Sequence, residues 1–270
     1  LDVKMTNKEG QDRPHNASGY ALPGMQQELA KRIAALRKPV VVVELSGMAV
    51  GMDFIAAQGE WPLLVGGYGG YQGPKALAQI LFGDVSPTGR LPYTVYPESW
   101  AANTEMTDMA LEAGDGRTYA WYKGAEPCPF VFGEGVTYTT FDLSVAARGA
   151  RGKADELVLS IKVTNTGEVA AAQTVLLFAR AGRIEGAPSS LPNRQLFDFH
   201  RTQSLAPGAS AEHSFTVSAK SVALVDDDGS TVAFRGEYTI EVFTGKKTPD
   251  KEVAFAVAAT RVLSTIPPPP

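Results

Sequence analysis

The hydrophobic residues follow different periods in the two halves of the chain, and this change limits the folds open to it. From 157 to 164 apolar and mostly polar residues alternate, which is typical of strands with one buried face. The apolar positions of this stretch are Leu157, Leu159, Ile161 and Val163. Further strands are predicted at 175–178, 214–217 and 238–243, and turn residues lie at 165–167, 205–208 and 226–229. Short strands with regular turn signals predict an all-β sandwich.

The first half shows helical spacing and continuous apolar runs instead. Between 26 and 36, Leu29, Ile33 and Leu36 recur at helical intervals. The run 40–43 has no polar residue, as expected for a parallel strand that is buried on both faces. It is followed by Ser46 and Gly47, where the chain can turn sharply.

A second strand and helix follow in the same order. The apolar run 63–65 leads into a glycine-rich loop at 66–73. Pro74 begins the next predicted helix and Gly83 ends it, which is the usual placement of these two residues. Strand, loop and helix in alternation predict an α/β layer, in which ligands bind beyond the carboxyl ends of the strands. Ser46 and the glycine-rich loop are both predicted to lie there.

The composition of residues 146–155, rich in glycine, alanine and charge, predicts a linker between the two halves. The predicted organisation is therefore multidomain. An α/β domain at 1–145 and this linker precede a β-sandwich at 156–262. A proline-rich tail occupies 263–270.

Composition and charge exclude several classes of function. The 270 residues are 44% hydrophobic with a net charge of −4, and the basic residues are scattered, so we expect no nucleic-acid partner. No run of about 18 apolar residues occurs, so no membrane span is predicted. Cys128 is the only cysteine of the sequence, which excludes an internal disulfide.

The polar segment near the start of the chain carries the clearest candidate for chemistry. Glu9 lies in a segment without hydrophobic periodicity, close to Asp12 and Arg13. A neighbouring carboxylate or burial raises the pKa of a carboxyl group, and a cation lowers it. A glutamate held protonated near neutral pH can act as a general acid. The spacing alone is equally that of a solvated charged loop, and both interpretations stay open on this pattern.

Motifs along the whole chain resemble glycoside hydrolase family 3, especially its β-xylosidase branch. The E-G-x-D-R loop at 9–13 and the following L-P-G-x-Q-x-E-L at 22–29 are similar to the family's pattern. Further similar segments, in the family's order, are 40–47, 66–73, 78–83, 86–92, 116–119 and 129–141. The resemblance extends over essentially the entire chain but covers only the C-terminal half of the family's architecture.

This resemblance implies a fold and an activity. The fold is the C-terminal part of the family's α/β sandwich followed by a fibronectin type III-like module. The activity is that of a retaining exo-acting β-glycosidase, with Glu9 as the general acid/base. The nucleophile Asp would come from a separate N-terminal (β/α)8 barrel chain or fragment. The substrate would be a β-linked oligosaccharide.

The resemblance also implies candidate binding residues and a location. Besides Asp12 and Arg13, the substrate-binding candidates are Ser46, Tyr68 and Tyr71. We expect a secreted, extracellular or cell-wall protein. At such a location the sequon that begins at Asn16 could carry a glycan.

Some positions depart from the family's pattern, which leaves room for an alternative. Met48, Gly69 and Ala120 stand where the family often has glycine, proline and arginine. The alternative is a catalytically inactive member that acts as a structural or glycan-binding module.

We expect no cofactor and no metal. The loop at 66–73 fits neither common phosphate-binding glycine pattern. The three histidines, His15, His200 and His213, have no ligand spacing and are predicted to be structural or on the surface. The acidic run that begins at Asp226 lacks the later glutamate of a calcium loop, so a hairpin turn is predicted.

Overall fold

The computed structural model describes residues 20–22, 24–47, 49–105, 107–149 and 155–265. They form two compact units. The first contains the described residues up to 85 together with 91–118 and 122–132. The second contains 86–90, 119–121 and the described residues from 133 onward.

The first unit contains short strands and helices in alternation. The elements in chain order are α1 (Gln26–Ala35), β1 (Val42–Glu44), α2 (Asp53–Ala57), β2 (Leu63–Val65), α3 (Gly73–Leu81) and α4 (Glu98–Ala102), and α5 (Thr118–Trp121) begins in this unit. β1 and β2 pair in parallel, with Val43 opposite Leu64. The predicted α/β layer is confirmed, because both apolar runs form neighbouring parallel strands.

Local sequence signals place the ends of these elements. Pro74 occupies the first turn of α3, and Gly83 follows the helix with a φ of 82°. A residue without a Cβ adopts this left-handed conformation at little cost, so the glycine ends the helix. The buried core of the unit is made by Val50, Met52 and Ile55 around α2, together with Val95. None of the helices among the described residues is long and apolar enough to cross a membrane.

The second unit is built from antiparallel strands. They are β3 (Phe141–Gly149), β4 (Glu156–Asn165), β5 (Thr174–Ile184), β6 (Gln195–Arg201), β7 (Ser210–Ser218), β8 (Leu224–Val225), β9 (Thr231–Ala233), β10 (Gly236–Phe243), β11 (Lys251–Val257) and β12 (Arg261–Ser264). A short 3₁₀ helix, Ala219–Val222, lies between β7 and β8. One sheet has the order β11-β10-β5-β6, another β3-β4-β7, and a smaller one β12-β9-β8.

The sandwich core lies between the first two of these sheets. The alternating apolar face of β4 contributes Leu159, Ile161 and Val163, all nearly inaccessible to solvent. Leu177 of β5 and Ile240 of β10 pack into the same cluster from the other sheet. The predicted β-sandwich is confirmed.

The predicted linker at 146–155 differs from the structure in its first part. Ala146–Gly149 belong to β3, and their partners in β4 run from Ser160 to Leu157. Since antiparallel pairing satisfies backbone hydrogen bonds whatever the side chains, a glycine- and alanine-rich segment can serve as an edge strand. The second unit therefore begins before residue 146, and the predicted tail at 263–270 overlaps β12.

Candidate active site

The predicted catalytic loop lies outside the described residues. This applies to Glu9, Asp12, Arg13 and the sequon residue Asn16. Their roles therefore stay predictions. The described part of the candidate site is the region just beyond the carboxyl ends of β1 and β2, which carries the predicted residues Ser46, Tyr68 and Tyr71.

β1 ends in a buried polar pair. Glu44 is 2% exposed and Ser46 is 4% exposed, and the Ser46 hydroxyl donates a hydrogen bond to Oε1 of Glu44. The backbone continues the parallel pairing past the strand, because the Gly66 N–H donates to the Glu44 carbonyl oxygen at 2.8 Å. The end of β1 and the start of the glycine-rich loop are thus fixed to each other through main-chain atoms.

Burial dominates the electrostatics of this pair. It raises the pKa of the Glu44 carboxyl, and the bonded Ser46 hydroxyl and the nearby Tyr93 hydroxyl act in the opposite direction by stabilising the ionised form. Burial and the charge of Glu44 together raise the pKa of Tyr93 to about 12. Oε2 of Glu44 is buried and has no partner at hydrogen-bonding distance within the described part of the chain. A carboxyl group in this setting favours its protonated form more than an exposed glutamate does.

The glycine-rich loop presents two tyrosines to solvent. Tyr68 is 71% exposed and Tyr71 is 96% exposed. Gly67 and Gly70 have φ values of 53° and 57°, which favour glycine. The loop therefore follows a path that few other sequences allow, and it exposes aromatic rings where the strands end.

Gly47 brings the two parts of the site together. A Cβ atom at position 47 would lie 2.6 Å from Cε2 of Tyr68, a distance that real side chains do not tolerate. The Tyr68 ring consequently lies against the bare backbone of the β1 turn, next to Ser46. Of the three predicted residues in this region, the structure brings Ser46 and Tyr68 together, while Tyr71 extends into solvent.

Sequence reasoning missed Glu44 and Tyr93 as members of the site. The available signal was a single charged residue at the end of an otherwise apolar run, which is unusual for a buried parallel strand. Tyr93 lies far from Glu44 in the sequence and carries no motif, so only the fold associates the two.

Polar clusters in the second unit have structural explanations. Glu241 is 2% exposed and is held by Arg180 at 2.8 Å and Arg194 at 3.5 Å. The rings of His200 and His213 stack in parallel, with centroids 3.7 Å apart. In the described residues, no group of three or more His, Cys, Asp or Glu side chains is arranged to hold a metal ion.

The acidic run of the second unit forms a turn, as predicted. One carboxylate oxygen of Asp226 accepts hydrogen bonds from the backbone N–H groups of Asp228 and Ser230. This local pattern is that of an aspartate closing a tight turn.

Two family profiles match the sequence. The profile "Glycosyl hydrolase family 3 C-terminal domain" matches residues 2–138, and the profile "Fibronectin type III-like domain" matches residues 173–245. The two matches fall on the α/β half and on the sandwich half of the chain respectively.

Related sequences extend over nearly the whole chain. The "Probable exo-1,4-beta-xylosidase" of Aspergillus flavus is 36% identical over 283 aligned positions, which cover 97% of this chain and 35% of that protein. The exo-1,4-β-xylosidase of Emericella nidulans is 35% identical over 237 positions, which cover 82% of this chain and 30% of that protein. The chain therefore spans about a third of the length of these relatives.

Solved structures agree with the sequence comparisons. A family 3 exo-β-xylosidase in complex with a xylobiose aziridine activity-based probe has a TM-score of 0.80 and 28% identity, over 92% of this chain and 34% of that one. The family 3 β-glucosidase of Bifidobacterium adolescentis has a TM-score of 0.74 and 28% identity, over 88% and 36% of the two chains. The chain belongs to glycoside hydrolase family 3, of which it carries the C-terminal α/β domain followed by a fibronectin type III-like domain.

Proposed function

We propose that this chain is the C-terminal part of a retaining exo-acting β-glycosidase, most like a β-xylosidase. In this proposal Glu9 supplies the general acid/base, and a separate (β/α)8 barrel chain or fragment supplies the nucleophile Asp. The observation that carries the proposal is the similarity to named exo-xylosidases along 97% of the chain and only 35% of the relative's length.

The chemistry requires two carboxyl groups. A retaining glycosidase places them about 5–5.5 Å apart, with one attacking the anomeric carbon and the other protonating the leaving oxygen. The bond from the sugar to the leaving group breaks as the bond to the nucleophile forms. Glu9, now ionised, then removes a proton from the water that releases the sugar. Asp12 and Arg13 would tune the pKa of Glu9 for these two steps.

The described residues fit supporting roles in substrate binding. Tyr68 and Tyr71 offer exposed aromatic faces, against which the apolar face of a sugar ring can pack. Ser46 is 4% exposed and its hydroxyl donates to Glu44, so in this proposal it holds the turn beneath the tyrosines and does not touch the sugar. The proposed substrate is a β-linked xylo-oligosaccharide, as released in xylan breakdown.

The proposed location of the protein is outside the cell. A glycosidase that acts on plant cell-wall polymers works outside the cell, so we propose secretion, with a glycan at Asn16. Treatment of protein from a eukaryotic host with an endoglycosidase should reduce its mass, and an Asn16→Gln variant should show no such reduction. A variant that still loses mass would remove Asn16 as the glycan site.

The test of the general acid/base is Glu9→Gln in the enzyme assembled with its barrel part. General acid–base catalysis contributes about 10²–10⁴-fold, so hydrolysis of substrates with poor leaving groups should slow by that order. Added azide should partly restore turnover of an activated substrate, because azide attacks the glycosyl-enzyme without a general base. The matched control is Glu28→Gln, at a surface position of α1 where Glu28 pairs with Arg32.

The outcomes separate the two functions under consideration. Unchanged activity in Glu9→Gln would remove Glu9 from the mechanism. A wild-type assembly that binds xylo-oligosaccharide without turnover would support the inactive, glycan-binding alternative instead.

A further inference from the structure

The turn that follows β1 and the glycine-rich loop pack closely against each other, and glycines lie at the points of contact. At one point the Gly66 N–H donates a hydrogen bond to the Glu44 carbonyl oxygen. At another the Tyr68 ring lies directly against Gly47. A Cβ atom at Gly66 would also lie 2.8 Å from a methyl group of Leu45. The glycines at these contacts let the turn and the loop approach more closely than residues with a Cβ atom would allow.

A buried acid lies beneath this contact. Glu44 is 2% exposed, and its side chain is bonded to Ser46, the residue immediately before Gly47. Its second oxygen, Oε2, is buried without a hydrogen-bond partner in the described part of the chain. A carboxyl group kept in such a place, at the end of an apolar strand, costs stability relative to an apolar side chain. This cost calls for a role that a valine or leucine could not perform.

We propose that Glu44 is a positioning residue which, through Ser46 and Gly47, fixes the orientation of the Tyr68 ring. Glu44 holds the Ser46 hydroxyl, and this bond sets the backbone of the turn. Gly47 in that turn supplies the surface on which the ring lies. An aromatic ring that is 71% exposed and still fixed in place is preorganised to receive the flat apolar face of a ligand. The ligand class, a pyranose ring, rests on the proposed function, whereas the coupling of Glu44 to Tyr68 does not.

The coupling can be measured on the 270-residue chain itself. Fluorine NMR of the chain labelled with fluorotyrosine reports each of the nine tyrosines, and Tyr68→Phe assigns the resonance of Tyr68. Glu44→Leu keeps the volume and removes the acceptor, so the Tyr68 resonance should shift or broaden. Glu44→Gln retains an oxygen acceptor for Ser46 and should leave the resonance near its wild-type position. Glu60→Gln, at an exposed position of the same unit, is the matched control.

Two further variants keep the test decisive if Glu44→Leu does not fold. Ser46→Ala removes the link while leaving the acid, and Gly47→Ala displaces the ring directly. Both should move the Tyr68 resonance without a comparable change at the other tyrosines. A Tyr68 resonance that stays at its wild-type position in Ser46→Ala and in every folded Glu44 variant would overturn the coupling.

The kinetic arm uses the enzyme assembled with its barrel part. If the Tyr68 ring binds the substrate and the transition state with equal strength, its loss raises KM and changes kcat less. We therefore expect Tyr68→Ala and Gly47→Ala to raise KM for xylobiose about tenfold with a smaller change in kcat. A purely structural role for Glu44 would lower the melting temperature of its variants and leave KM unchanged, which would overturn the positioning role. An unchanged KM in Tyr68→Ala would refute the substrate role of Tyr68, and the NMR result would still decide the coupling.

Discussion

Asn165 makes a hydrogen-bond cluster inside the sandwich whose loss we expect to be costly. The side chain is fully buried, and its oxygen accepts from the Thr139 hydroxyl at 2.8 Å and the Gly167 N–H at 3.1 Å. Its amide nitrogen donates to the carbonyl oxygens of Val169 and Leu205, both at 2.8 Å. All four hydrogen-bonding positions of the amide are thus used, and the side chain joins three segments that are distant in sequence.

The magnitude follows from the number of bonds. A buried hydrogen bond contributes about 1 kcal/mol net, so Asn165→Ala should lower the free energy of unfolding by about 4 kcal/mol. In a domain of this size such a loss lowers the melting temperature by on the order of 10 °C. The assay is thermal and urea unfolding of the chain, with Lys162→Ala, an exposed position of the same strand, as the control.

Asn165→Asp tests the reasoning more strictly. It keeps the shape but removes both donors and places a negative charge beside two carbonyl oxygens. Burial should raise the pKa of the introduced carboxyl, so the folded state binds the proton more tightly than the unfolded state. The destabilisation should therefore be larger at pH 7 than at pH 4, where the protonated acid can donate one bond. A loss below about 1 kcal/mol in Asn165→Ala, or no pH dependence in Asn165→Asp, would refute the argument.

Three further predictions concern the second unit. Leu177 is fully buried in the core, so Leu177→Ala should lower the free energy of unfolding in urea by about 2–5 kcal/mol. Leu177→Met should lower it by less than about 1.5 kcal/mol, and equal losses in the two variants would contradict the packing argument. Burial, together with His213, lowers the pKa of His200, so the unfolded chain binds more protons and stability should fall as pH drops below about 6.5. His200→Gln should reduce this slope in melts between pH 7 and pH 5, and an unchanged slope would contradict the prediction. The partly buried Arg90 guanidinium donates to the Thr244 carbonyl oxygen at 2.7 Å, so Arg90→Met should cost about 1–3 kcal/mol, and a neutral effect would contradict this role.

Much of the fold could be predicted because its signals are local. The apolar run before Ser46 forms a parallel strand, and the alternation from Leu157 to Val163 forms a strand with one buried face. Pro74 lies in the first turn of α3 and Gly83 follows its end, as predicted. In each case the structure is decided by residues close in sequence or by the burial of one apolar face of a strand in the core.

The parts that could not be predicted depend on contacts across long distances in the sequence. Asn165 was recognised as a turn residue, but its bond to Leu205 requires the folded sandwich. The stacking of His200 on His213 likewise joins the edge strands of two sheets. The sequence predicts a linker at 146–149, where the structure has an edge strand, because the small residues there carry little hydrophobic pattern. Composition alone does not distinguish such a strand from a linker.

In the candidate site too, local signals could be predicted from the sequence and long-range contacts could not. The apolar runs before them predict that Ser46 and the loop of Tyr68 lie at the same edge of the sheet, and the structure brings the two residues close through Gly47. The sequence does not single out Glu44, since it does not show whether a carboxyl group is buried or solvated. Glu9 was identified by its motif and stays a prediction.

The most direct test of the central claim is the turnover of nitrophenyl β-xyloside by the purified 270-residue chain, with and without the barrel chain. Formation of a glycosyl-enzyme needs an attacking carboxylate, which we assign to the barrel, so a lone general acid cannot complete the reaction. We predict no turnover above background by the chain alone and robust turnover after the barrel chain is added. Robust turnover by the isolated 270 residues would show that they contain a second catalytic carboxylate, and it would contradict the proposal that the site is shared.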